Sequence, residues 1–190
     1  MRISYIRKEL SYMNNNVHSA LAGTRTHENL TDAFGSEARS AMRYLIFANA
    51  AHEEGDHGLA RIFERLSENE AEHAELWMRY LGEVDTNMQN TESVLASEEY
   101  EKDVMYPEFA KIAKEEGFSE IAEKLELAAN AEGNHHKVLS EYLESLRDGS
   151  LYDADNEVEW ECTNCGYMHT GKSVPDRCPL CSAARSMFVR

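Results

Sequence analysis

The sequence predicts a mainly α-helical protein, a four-helix bundle followed by a small metal-held module. Three observations carry this. Apolar residues recur at helical spacing through most of residues 26–148. Two Glu-x-x-His motifs, Glu70-Ala71-Glu72-His73 and Glu132-Gly133-Asn134-His135, lie inside those apolar stripes. Two Cys-x-x-Cys pairs close the chain, after the helical periodicity has stopped.

A chain of 190 residues is long enough for one sizeable core and a small second module. A formal net charge of -16 argues against nucleic acid as a partner, because phosphate binding needs a basic face. Solvated helix surfaces account for most of the acidity, but not for acids inside apolar stripes. No apolar run approaches the length of a membrane span. Met1 to Lys8 are basic, yet no apolar signal core follows. A soluble, cytoplasmic protein is expected. All four cysteines fall in the last thirty residues as two close pairs, which is metal spacing rather than a disulfide framework.

Residues 1–25 are weakly periodic, with the polar run Asn14-Asn15-Asn16, and a loose extension is expected there. Met13 is an alternative start, because the segment after it flows better into the first helix. That helix is expected from Thr26, as N-cap, to Glu54-Gly55, with the stripe Leu30, Ala33, Phe34, Glu37, Ala38, Ala41, Leu45, Ala48. The second runs from about His57 to Leu81 and stops at Gly82. Its stripe is Leu59, Ile62, Phe63, Leu66, Glu70, His73, Trp77, Leu81. Glu83 to Glu92 is polar and aperiodic. Ten extended residues span roughly 33 Å, enough for a long crossover between helices.

The third helix is expected from Thr91 or Ser93, with Val94, Glu98, Glu101, Met105, Phe109 and Ile112 inward. Pro107 should kink it or open a bulge, and Gly117 should end it. Ser119 is a cap for the fourth helix, which runs to about Arg147 with Ile121, Leu125, Ala128, Glu132, His135, Leu139, Tyr142, Leu143 and Leu146 on one face. The domains are thus expected as a 26–148 bundle, a 149–157 linker and a 158–190 cysteine module.

The inward polar residues form the first candidate site. Residues three apart on a helix share a face, so each Glu-x-x-His directs both ligands inward. A buried carboxylate is costly unless paired, protonated or bound to metal. Glu37, then Glu70 with His73, then Glu98 and Glu101, then Glu132 with His135 follow the helices in order. That is the ferritin-like di-iron pattern plus one acid. Taken singly, a Glu at a stripe's edge or a hydrogen-bonded core histidine is the plainer reading. Taken together, four helices would have to misplace acids at matching depths. Carboxylates and imidazoles suit iron or manganese. Tyr44 and Tyr106 border the stripes, either as packing residues or as hydrogen-bond donors to a ligand carboxylate. His52, His57, His136 and Glu99 fall off the inner faces.

The second candidate site is Cys162, Cys165, Cys178 and Cys181, the two pairs separated by residues 166–177. Four thiolates so spaced bind a tetrahedral metal, and thirty-odd residues need that metal to hold a fold. Gly166 permits the knuckle turn, and Trp160, Tyr167 and Phe188 are the expected aromatic core. Zinc and iron both fit the motif. On the motif alone, a structural zinc ribbon is the commoner reading.

With both sites placed, the chain resembles the rubrerythrins over residues 24–190. The resemblance rests on Glu37-Ala38-Arg39 through Arg43-Tyr44, Glu70-Ala71-Glu72-His73-Ala74, Met105 through Ala113 with Glu115-Glu116-Gly117, and Trp160-Glu161-Cys162 through His169 with Cys178-Pro179. It implies a ferritin-like di-iron domain joined to a rubredoxin-like iron centre. It further implies reduction of hydrogen peroxide to water in oxidative stress protection, an electron-donor reductase or rubredoxin as partner, and a head-to-tail homodimer.

By position, Glu37 and Glu98 resemble the terminal ligands, Glu70 and Glu132 the bridging carboxylates, and His135 the imidazole on the second iron. Glu101 and His73 resemble the pair that exchange on the first iron with oxidation state. Tyr44 and Tyr106 match the family's site tyrosines. The chain departs from the pattern in its N-terminal extension and in Ser182, where rubredoxins often have Gly. The competing function is a ferritin-like iron-binding ferroxidase with a structural zinc ribbon. A ferric four-thiolate centre is red and zinc is colourless, so a visible spectrum separates the two.

Overall fold

The computed structural model describes residues 20–190; residues 1–19, with Met13 and most of the expected extension, lie outside the described residues. The chain divides into two compact units, one up to Thr86 and the other Asn87–Arg190.

The first unit is a helical hairpin. Helix α1 spans Arg25–Glu53 and α2 spans His57–Leu81. The N-cap of α1 is Thr24 rather than Thr26: its side chain accepts from the His27 backbone N–H at 3.2 Å. Asp56 caps α2 in the same way, through Leu59 N–H at 3.0 Å. The chain leaves α2 at Gly82, whose φ of 75° is the left-handed value that glycine adopts freely. The bonds Gly82 N–H to Arg79 O and Glu83 N–H to Met78 O satisfy the last carbonyls.

Small residues set the contact between the two helices. The buried side chains are Ala48, Ala51, Ala60, Ala74 and Leu81. Tyr44 stacks on Phe63 with ring centroids 6.0 Å apart, and Ser67 Oγ donates to Ala41 O at 2.8 Å. Leu45, Phe47, Leu59 and Ile62 stay more than 40 % exposed. Fully burying one such side chain is worth roughly 1.5–3 kcal/mol, so this hairpin leaves much of its apolar surface unused.

The second unit opens with α3, Asn87–Tyr100, which passes into a π-helical turn, Glu101–Met105, and then α4, Tyr106–Glu115. Helix α3 begins several residues before the expected Thr91 or Ser93. The expected crossover is therefore shortened: residues 87–92 are helical, and their polar side chains occupy turns with little to bury, which hides the period. Pro107 explains the π turn. Without an N–H it cannot bond four residues back, and the Tyr106 N–H reaches Glu101 O, five residues back.

Helix α5 spans Ser119–Asp148. Ser119 is its first residue rather than its cap; Phe118 holds the cap position without a side-chain bond. Here too alanines dominate the buried set, with Ala110, Ala113, Ala122 and Leu143, while Phe109, Ile112, Ile121 and Tyr142 are exposed.

The segment expected as a linker is ordered. After Gly149 a short 3₁₀ turn, Ser150–Tyr152, leads directly into β1, Asp153–Cys162. Its acids alternate on a strand held by β2, Met168–Ser173, with a bulge between Asp153 and Val158. Strand β3, Phe188–Val189, completes an antiparallel sheet in the order β2-β1-β3. The module's core is Trp160, Cys162, Val174, Cys178 and Phe188. Tyr167 packs at its margin instead of its centre.

Candidate metal centres

Each helical unit carries one group of two glutamates and a histidine. In the first unit α1 supplies Glu37, and α2 supplies Glu70 and His73 on one face, as the three-residue spacing requires. His73 Nδ1 lies 2.9 Å from Glu70 Oε2 and 3.9 Å from Glu37 Oε1. In the second unit α3 supplies Glu98, and α5 supplies Glu132 and His135. His135 Nδ1 lies 2.7 Å from Glu132 Oε2 and 3.4 Å from Glu98 Oε2. Within each group the three ligand atoms lie within 4.8 Å of one another. The two groups are the same device built twice.

The donor chemistry fits a metal. Glu98 Oε2 is buried and makes no hydrogen bond, its one close polar neighbour in the group being the His135 ring nitrogen 3.4 Å away. A buried carboxylate oxygen left bare is costly, and a cation held by the neighbouring carboxylate and imidazole removes the cost. Glu101, the extra acid, belongs to neither group. It is part-buried at the first position of the π turn, where the helix changes its bonding register. Tyr44 lies against Phe63, which accounts for its packing reading, and Tyr106 begins α4 just beyond the π turn. His52 and His57, expected on the surface, are exposed, with their Nδ1 atoms 3.0 Å apart.

The four cysteines converge. Cys162 Sγ and Cys181 Sγ are 3.8 Å apart, and Cys165 Sγ and Cys178 Sγ are 3.7 Å apart. A tetrahedral ion with metal–sulfur bonds near 2.3 Å sets its sulfurs about 3.8 Å apart, whereas a disulfide needs about 2 Å. The two knuckles repeat one geometry. Gly166 N–H bonds Cys162 O and Ser182 N–H bonds Cys178 O, each at 2.8 Å. Gly166 has φ 72° and Ser182 has φ 61°. Ser182 therefore takes the left-handed turn that glycine takes in the first knuckle, and the amide geometry is kept. In each case the backbone N–H two residues after the second cysteine donates to its sulfur: Tyr167 to Cys165 and Ala183 to Cys181.

These sulfurs do not share charge equally when no ion is present. The Ala183 N–H, helped by the Asn164 amide, pulls the Cys181 thiol down to about 6. At Cys165 the Tyr167 N–H also pulls downward, but desolvation and the three neighbouring sulfurs outweigh it and push the thiol up to about 12. Asn164 was not legible as a functional residue. It is a spacer inside Cys-x-x-Cys, yet its Nδ2 donates to the sulfur of the opposite knuckle at 3.3 Å.

Carboxylate–imidazole groups on helical hairpins, joined to a four-thiolate module, define a non-haem iron protein of the ferritin-like class. Residues 28–143, and again 94–163, match the rubrerythrin family model, and residues 160–189 match the rubrerythrin rubredoxin-like domain. The chain is 32% identical to rubrerythrin of Porphyromonas gingivalis, over 90% of this chain and 92% of that one. It is 31% identical to rubrerythrin of Nitratidesulfovibrio vulgaris, over 89% and 95%. A relative from Methanocaldococcus jannaschii is 37% identical over 86% of this chain and 91% of its own. The chain belongs to the rubrerythrin family. Its Glu/His groups are di-iron ligand sites, and its cysteines form a rubredoxin-like site. Among the described residues no helix is long and apolar enough to cross a membrane.

Proposed function

We propose that this protein is a peroxidase that reduces hydrogen peroxide to water, protecting its cell from oxidative stress. The overall change takes one peroxide, two electrons and two protons to two waters. Bound iron would supply the two electrons, one from each ion. Glu37, Glu70 and His73 would hold one ion, and Glu98, Glu132 and His135 the other. By the family resemblance, Glu70 and Glu132 would be the carboxylates shared by the two ions. Glu101 would replace His73 on oxidation, since a more highly charged ion favours a carboxylate oxygen over a neutral nitrogen. Tyr44 and Tyr106 would position ligand carboxylates. The cysteine module would pass electrons in one at a time from a reductase or a rubredoxin.

The observation that carries this reading is the pairing of two carboxylate–imidazole groups with a four-sulfur site whose thiolates accept hydrogen bonds. A ferritin-like storage protein has no use for a one-electron redox centre or for a seventh ligand such as Glu101. The test is Cys165→Ser in the full chain. Donor-driven peroxide turnover should be lost, while one round of peroxide reduction by chemically pre-reduced protein persists. Unchanged donor-driven turnover, or a colourless zinc-filled cysteine site in protein made with iron available, would overturn the reading.

A further inference from the structure

We propose that His52 and His57 form a further metal site at the surface, one for a divalent transition-metal ion of the nickel, copper and zinc class, with Glu64 as positioning residue. The inference goes beyond the peroxidase reading and uses none of its residues.

The first observation is the meeting of the two rings. His52 Nδ1 and His57 Nδ1 lie 3.0 Å apart, with ring centroids 5.3 Å apart and planes tilted by 43°. Two N–H groups cannot face each other at that distance, so one nitrogen donates and the other accepts a single proton. A metal ion can take that proton's place. Metal–imidazole bonds are about 2.0–2.1 Å long, so a right angle between two of them sets the nitrogens about 2.9 Å apart and a tetrahedral angle about 3.3 Å. The observed spacing suits two neighbouring positions of a square-planar or octahedral ion, and a tetrahedral ion needs only a slight opening. Imidazole is a preferred donor for nickel, copper and zinc. Both histidines are exposed, so the rings can turn their lone pairs onto one point and water can fill the remaining positions.

The second observation is Glu64. Its Oε1 lies 3.0 Å from His52 Nε2, the ring nitrogen away from His57. A carboxylate accepts and does not donate, so Nε2 keeps its proton and the neutral ring presents a lone pair at Nδ1. A carboxylate behind a histidine selects the ligating nitrogen in metal sites by this means. His57 can move its proton to Nε2, which leaves its own Nδ1 free to bind.

The third observation is the scaffold. His52 lies in the last turn of α1 and His57 opens α2. The chain between them is tied down: Gly55 N–H bonds His52 O at 3.1 Å and Asp56 N–H bonds Ala51 O at 2.9 Å. Buried Ala51 and Ala60 seat the two helix ends. Ligands on packed helix ends keep their geometry better than ligands on a loose loop. The C-terminus of α1 favours a cation, and the N-terminus of α2 opposes it. The local sequence decides the balance, with Glu53, Glu54, Asp56 and Glu64 against Arg61 alone. Glu70 lies about 20 Å farther along α2 than His57, so this site shares no ligand with the Glu37/Glu70/His73 group.

Nickel(II) titration of the untagged full-length protein, its carboxylate and cysteine sites already metal-filled, tests the proposal. Calorimetry should find one nickel ion bound per chain. Glu64→Ala, which frees the His52 ring, should weaken that binding roughly tenfold, and His52→Ala or His57→Ala should weaken it by more. Glu64→Gln, whose carbonyl can still accept from Nε2–H, should recover part of the loss. The histidines are exposed and Glu64 is half-buried, so these variants should keep their helicity and their resident metal, read by circular dichroism and metal analysis. No nickel binding by the wild type, binding unchanged in the two histidine variants, or nickel uptake matched by loss of resident metal would overturn the proposal. Peroxide enters none of these readouts, so loss of peroxide turnover would bear on the proposed activity alone.

Discussion

Replacing Asn164 by Ala should lower the reduction potential of the iron-loaded cysteine site. The Asn164 amide donates to Cys181 Sγ at 3.3 Å across the two knuckles. A hydrogen bond to a thiolate favours the more negative state of the centre, and the reduced centre carries one more negative charge than the oxidised one. The same preference acts on the proton: together with the stronger pull of the Ala183 N–H, this amide brings the Cys181 thiol down to about 6. A net hydrogen bond changes an equilibrium by about two- to tenfold, which for a one-electron couple is roughly 20–60 mV. The bond is long and exposed to solvent, so the lower part of that range, about 20–40 mV, is expected. Spectroelectrochemical titration of the red ferric band in the full-length protein would measure it. Asn164→Gln, with a longer arm and the same amide, should fall between variant and wild type. A potential that stays put or rises in Asn164→Ala, with the visible spectrum otherwise intact, would refute the reasoning.

Ser182→Gly should stabilise the cysteine module. A non-glycine residue at φ 61° costs roughly 1–2 kcal/mol, and glycine's extra freedom in the unfolded chain gives back roughly 0.5–1, leaving a gain of up to about 1.5 kcal/mol. Urea unfolding of the zinc-loaded chain, followed by Trp160 fluorescence in a Trp77→Phe background, would check it. In the metal-free protein at pH 7, Cys181, with its pKa near 6, is already a thiolate, whereas Cys165, near 12, is not. Brief iodoacetamide treatment mapped by mass spectrometry should therefore label half-buried Cys181 before exposed Cys165, and labelling of Cys181 should fade as the pH drops through about 6. Glu101→Ala should still assemble two irons, because neither three-ligand group contains it, but should slow peroxide turnover. Metal analysis beside stopped-flow kinetics separates the two effects, and oxidised and reduced crystal structures with the same ligands on the first iron would contradict the exchange.

The two Glu-x-x-His motifs were legible because helical spacing alone puts both residues on one face, wherever the helix then goes. The same holds for Cys162, Cys165, Cys178 and Cys181, whose pairwise spacing is itself the knuckle, and for Gly82, whose left-handed backbone ends α2. Pro107 announced an irregular turn, because a missing N–H breaks the bonding pattern in any surroundings. What one dimension could not show was contact between distant residues. Asn164 reaches a sulfur 17 positions away only because the knuckles face each other. The polar run before Ser93 has no apolar period to betray a helix, so composition alone reads it as connection; its helical state shortens the connection to Gly82–Thr86. Residues 153–157 have a linker's composition but lie in β1, anchored to β2 at Asp153 and again from Val158 across a bulge. The division of six ligands into two groups of three follows from which helices pack together, and packing is decided by side-chain faces meeting in space rather than by order along the chain.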